Sequence, residues 1–225
     1  LELKADVMAR YPDNNGILDL SAWAALACAG DREETLRLAS RIQPTNLQEL
    51  ETKFLYLLLA GPEATQALRL LENADEDLLR DPVTRLVVND YLAWLYQSLN
   101  EESLAEQALA EGEKAIAEIG EMSFGILAEK AFHAALKGDQ QATLDFGRAA
   151  IEAAPEDALV KSDIHYRVSR AWATAGLLDE ALTQWEILKS QFSAASFSVI
   201  HLDPFLAPLR GHPEFEALLI PDDSS

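Results

Sequence analysis

The stretch His165–Leu188, HYRVSRAWATAGLLDEALTQWEIL, decides the fold. It reads as two amphipathic helices broken at Gly176. The small residues Ser169, Ala171 and Ala181 fall where the two helices would touch. Val168, Trp172, Leu182, Trp185 and Leu188 would fill the space around that contact. Ala181, Trp185 and Leu188 stand at i, i+4 and i+7, one apolar stripe at helical period. An alanine at a crossing lets two backbones approach, and the large residue one turn later packs beside it.

The rest of the chain reads as further copies of this unit. Residues 1–11 have helical character and stop at the breaker cluster Tyr11-Pro12-Asp13-Asn14-Asn15-Gly16. LDLSAWAALACA, a turn at Gly30-Asp31 and EETLRLASRI make one helix pair. NLQELETKFLYLLLA, Gly61-Pro62 and EATQALRLLENA make the next, with Pro62 suited to a first helical position. Asp81-Pro82 is a start signal, an N-cap acceptor followed by proline, for a helix running to a turn at Asn100. A further pair turns at Gly138-Asp139 and ends at Pro155. The turns at Asn100, Gly138 and Gly176 are spaced by 38 residues each time.

The glycine turn, the small residue five positions on, the bulky residue four after that and a core residue three further resemble a tetratricopeptide (TPR) repeat. Ala131, Ala134, Ala150 and the closing Pro155 fall at that family's spacings, whereas Thr143 and Gly147 replace its usual alanine and bulky residue. The resemblance implies an all-α, right-handed superhelix of about five stacked helical hairpins over residues 1–190. A hairpin has too little core to stand alone, and stacking its neighbour buries the stripe. Residues 191–220 read as a C-terminal cap in which Phe205, Leu209, Phe215 and Leu218 cover the open end of the last hairpin. Residues 221–225 read as a disordered polar end. The run Leu202-Asp203-Pro204, Pro208-Leu209-Arg210, Pro213, Phe215 and Leu218-Leu219 also resembles the closing segment of TPR regions in bacterial signalling proteins. Those chains join TPR arrays to winged-helix transcription regulators, nucleotide cyclases or serine/threonine kinases.

Composition narrows the function. Lys and Arg total 18 against 38 Asp and Glu, a formal charge of −20, which repels phosphate backbones and anionic lipid. No nucleic acid is expected as a partner, and no apolar run is long enough to insert in a membrane. The one cysteine, Cys28, sits in the apolar run AWAALACA and reads as a small buried hydrophobe. The chain opens on LELKADVMAR rather than Met, which reads as a cut into a longer protein. A cytoplasmic location is the expectation, with an extracytoplasmic segment of a membrane-tethered regulator as the alternative.

Catalytic patterns are missing from the sequence: there is no glycine-rich phosphate loop, HExxH, Gly-x-Ser-x-Gly or set of paired metal ligands. His133, His165, His201 and His212 are spread over different units, with His165 expected as a satisfied buried imidazole. No catalytic residue, cofactor or metal is expected. Binding is better supported. In a TPR stack the first helix of each unit lines a concave groove. Counting back from each turn, that face takes Asp90, Tyr91, Trp94 and Gln97 before Asn100, then Glu129, Phe132 and Leu136 before Gly138. Before Gly176 it takes Asp163, Tyr166, Arg167 and Arg170. Tyr, Trp and Arg are the commonest interface anchors, and paired arginines favour a carboxylate-bearing ligand. Arg167 and Arg170 are expected to point into the groove and touch no core. The carboxylate clamp of chaperone-binding TPR domains is not carried over, because Asp90, Trp94, Ala128, Phe132, Tyr166 and Arg170 stand at its positions.

The expected function is therefore a non-catalytic protein–protein interaction segment, scaffold or sensor, of a larger bacterial signalling or transcription-regulatory protein. Its partner would be a protein or peptide in the concave groove. An oligomerisation module, for example a homodimer, and a peptide or small-molecule sensor are the alternatives.

Overall fold

The computed structural model describes residues 10–61, 64–189 and 201–218, and among them the secondary structure is helical with no strand. The chain divides into two compact units, Leu1–Leu79 and Arg80–Ser225.

In the first unit α1 (Asn15–Ala29) pairs with α2 (Arg32–Ala39), and α3 (Leu47–Ala60) pairs with α4 (Thr65–Glu72). Short polar side chains start three of these helices: Asn14, Asp31 and Asn46 each accept an N–H of the first turn. Gly30 ends α1 in the left-handed conformation. Gly61 ends α3 with extended backbone instead, and Pro62 lies outside the described residues. Cys28 is exposed, contrary to the reading of its apolar surroundings. The buried face of α1 is Leu18, Ser21, Ala22, Ala25 and Leu26, and position 28 falls off that stripe.

In the second unit three hairpins follow: α5 (Pro82–Ser98) with α6 (Glu102–Glu118), α7 (Phe124–Leu136) with α8 (Gln140–Ala153), and α9 (Ala158–Thr174) with α10 (Leu178–Lys189). Asp81 caps α5 through the Thr84 N–H, with Pro82 in the first turn, as its sequence predicts. Asn100, Gly138 and Gly176 all have positive φ (60°, 75° and 77°). The three turns also close alike. Glu101, Asp139 and Leu177 each donate a backbone N–H to the carbonyl five residues back. The first helices pack on one another, α5 on α7 and α7 on α9.

The core follows the small-and-large stripe. Ser169, Ala171 and Ala181 are fully buried, and Val168, Trp172, Leu182, Trp185 and Leu188 are buried around them. Gly147 departs from the repeat pattern for a reason supplied by the next hairpin. A Cβ there would lie 2.5 Å from Trp172 Nε1, and that indole donates to the Thr143 carbonyl (3.3 Å). After α10 the described chain resumes at His201, forms a 3-10 segment, Pro204–Leu209, and ends in α11 (Pro213–Leu218). Leu206, Leu209 and Phe215 join the cluster that holds Trp185, with Leu218 packed against it. The helical reading of residues 1–9, the first part of the cap, 191–200, and the disordered reading of 221–225 fall outside the described residues.

Candidate functional site

Helical period brings one face of α5, α7 and α9 together in the second unit, and most of the residues expected there converge. Tyr91 and Trp94 come from α5, Glu129 and Phe132 from α7, and Tyr166, Arg167 and Arg170 from α9. Tyr91 and Phe132 meet edge to face with ring centroids 6.0 Å apart. Arg167 is half-buried between two acids, with Nη1 on Glu129 at 2.7 Å and Nε on Asp163 at 3.0 Å. Gln97 is exposed and braces the face, donating from Nε2 to the Leu136 carbonyl at 2.9 Å. Leu136 itself is buried.

Asp90 does not belong to this face. It is wholly buried, with Oδ1 2.6 Å from His133 Nδ1 and Gly112 alongside. A Cβ at Gly112 would lie 3.1 Å from the His133 ring and 3.3 Å from Asp90 Oδ1, so the glycine makes room for the pair. Burial outweighs the bond from His133 and pushes the Asp90 carboxyl up to about 6. The counting rule placed Asp90 one position off the groove because neighbouring helix positions differ by a large angle, and position 90 turns toward α6. His165 is buried as expected, its Nδ1 2.6 Å from Gln184 Oε1.

The largest departure is the occupant. The closing segment does not only cover the end of the last hairpin; it also seats Phe205 on the shared face of α5, α7 and α9. Phe205 is 1 % exposed, with its ring centroid 4.4 Å from that of Trp94, 5.4 Å from Phe132 and 5.7 Å from Tyr91. The Arg170 guanidinium carbon lies 3.9 Å from the Phe205 ring centroid. Asp203, also fully buried, accepts from the Tyr166 hydroxyl on Oδ2 and lies 3.3 Å from Arg170 Nε. Arg170 is therefore not the exposed groove cation that its sequence position suggested. It is 7 % exposed and packed between an acid and two rings. Burial alone would lower its pKa, but Asp203 and the two tyrosines raise it, so the charge is kept. The Tyr166 hydroxyl is pushed well above its ordinary value by burial first and by the Asp203 charge second.

The occupying loop is shaped by its own hydrogen bonds. Asp203 Oδ1 accepts the Phe205 N–H at 2.9 Å. Arg210 Nη2 donates to the Leu202 and Asp203 carbonyls, each at 3.0 Å. The sequence marks Phe205 as a cap residue and gives no local sign that Asp203 belongs to the site. The signal available was complementarity: an acid and an aromatic two residues apart, held by Pro204, in a chain whose groove offers arginine, tyrosine and rings. Beside the occupant a recess of about 20 Å³, lined by Tyr91, Ala128, Glu129, Phe132, Arg167 and Arg170, has room for one water. These groups together hold a carboxylate and an aromatic ring side by side.

Among the described residues no group of three or more His, Cys, Asp and Glu could hold a metal ion, and no helix is long and apolar enough to cross a membrane. Compared with known proteins, the chain matches no family model, no curated protein and no solved structure.

Proposed function

We propose that this chain is a non-catalytic protein–protein interaction segment of the tetratricopeptide kind, belonging to a larger bacterial signalling or transcription-regulatory protein. The observation that carries the reading is the shared face of α5, α7 and α9. Three successive first helices present Tyr91, Trp94, Phe132, Tyr166, Arg167 and Arg170 on one surface. These are the residue types that anchor interfaces, and the surface already accommodates a peptide segment of this chain. The signalling context rests on the resemblance of Leu202–Leu219 to closing segments of such arrays. A formal charge of −20 favours a partner that approaches with basic surroundings around its anchor, and disfavours nucleic acid.

The test compares the immobilised chain with Trp94→Ala and Arg167→Gln variants in capturing a partner from cell extract, identified by mass spectrometry. A photo-crosslinking residue at exposed Gln97 locates the contact. The reading expects one reproducible partner, crosslinked from position 97, whose capture falls at least tenfold in the variants while their helicity is unchanged. Capture indifferent to all three positions removes the groove from the account.

A further inference from the structure

Resting on that reading of the groove, we infer that Asp203-Pro204-Phe205 is a tethered internal ligand. The groove's external partner then carries an acidic side chain two residues before an aromatic one and displaces this segment. The receptor side is built from three helices, α5, α7 and α9. The ligand side is a short loop that keeps its shape through the Asp203 cap, the two Arg210 bonds and the Gly211 N–H donated to Glu216 at 2.9 Å. Within Asp203-Pro204-Phe205 the contacts are those a bound peptide would make, a carboxylate at Tyr166 and Arg170 and a ring among Tyr91, Trp94 and Phe132, while Leu206 and Leu209 after it pack in the cluster that holds Trp185.

The internal ligand uses the arginine incompletely, and this is what leaves room for a competitor. Arg170 is buried, yet its Nε and Nη2 have no aligned hydrogen-bond acceptor. The cause is in Asp203. One oxygen also accepts the Phe205 N–H and the other the Tyr166 hydroxyl, so the carboxylate is shared among several donors and approaches Arg170 Nε off-axis at 3.3 Å. Two-point contact is the stronger arrangement for this pair. The water-sized recess that Arg170 lines offers space for a second oxygen. A partner acid with both oxygens free satisfies the guanidinium better than Asp203 does. The tether works in the opposite direction, since it holds the internal segment at an effective concentration on the millimolar scale. The untouched chain is thus a closed site that opens to a better ligand.

The experiment uses the full chain and a fluorescein-labelled peptide of residues 201–212, HLDPFLAPLRGH, capped at both ends. Fluorescence anisotropy measures its binding to wild type and to an Asp203→Asn, Phe205→Ala double variant. Emptying the groove should tighten peptide binding at least tenfold, and replacing the peptide's own Asp by Asn or Phe by Ala should reverse the gain. A folded double variant that binds no better than wild type overturns the inference, as does binding indifferent to the peptide's Asp and Phe. Phe205→Leu provides a milder opening, and if neither variant stays helical the segment is permanent structure and the inference falls. Light scattering runs alongside. A wild-type mass of two chains, lost in the double variant, would make a second copy the occupant and also overturn it. If the peptide fails while position 97 still crosslinks a captured partner, only the internal-ligand inference is lost. If peptide binds but no partner depends on the groove, the proposed function is the part that fails.

Discussion

At Gly147 a single hydrogen in place of a methyl decides whether two hairpins can meet. The Trp172 indole is 3 % exposed and tied to the Thr143 carbonyl, so it cannot swing away from an added Cβ 2.5 Å from Nε1. Gly147→Ala should therefore cost about 1–3 kcal/mol by overpacking, against the gain that alanine normally brings to a helix interior. Urea unfolding checks it, and a more stable variant would mean that the indole moves freely. Asp90 gives a second residue-scale expectation. Its carboxyl, raised to about 6 by burial, holds a proton at pH values where the unfolded chain has lost it. Its contribution is full below about pH 4 and is lost as pH rises through about 6. The stability of wild type relative to Asp90→Asn should accordingly fall between pH 4 and 6 and level off above 7. A constant offset across that range would contradict it. Neither pair was legible in the sequence. Asp90 and His133 are 43 residues apart, as Gly147 and Trp172 are 25, and each pair joins separate hairpins, so no local spacing announces it.

The helices themselves were legible because their signals are local. Asp81-Pro82 starts α5, and Asn100, Gly138 and Gly176 adopt the positive φ that their residue types tolerate. The closing segment was only half legible. Phe215, 5.9 Å from Trp185, covers the last hairpin as its apolar spacing implies. The path of Phe205 into the groove depends instead on Arg170, Tyr166 and Trp94, which belong to two different helices. This changes what Arg170 does. Arg170→Glu would set a second acid against buried Asp203 and remove the guanidinium stacked on Phe205. Breaking a buried pair in this way costs about 3–5 kcal/mol. A thermal or urea midpoint equal to wild type would show that Asp203 and Arg170 are not paired in solution.

Over the whole chain, regular and irregular spacing separate the two units. The turns of Arg80–Ser225 recur every 38 residues, whereas Leu1–Leu79 has turns at Gly30 and Gly61 and no such period. Five helix pairs were legible from the stripes, and the division at residue 79 was not, since the acidic run Glu72–Asp81 reads as one more inter-helix loop. In the second unit the shared face of α5, α7 and α9 is covered by an internal segment, which we propose can leave while the hairpins stay folded. Local opening of this kind has its own free energy, separate from global unfolding. Native-state hydrogen exchange across a urea series measures it most directly. The amides of Phe205 and Leu206, bonded to Asp203 Oδ1 and the Asp203 carbonyl, should exchange through an opening of lower free energy and shallower urea dependence than those of Ala181, Leu182 and Trp185. Exchange of all five amides at one free energy, with one urea slope, would contradict the account and make the segment an inseparable part of the core.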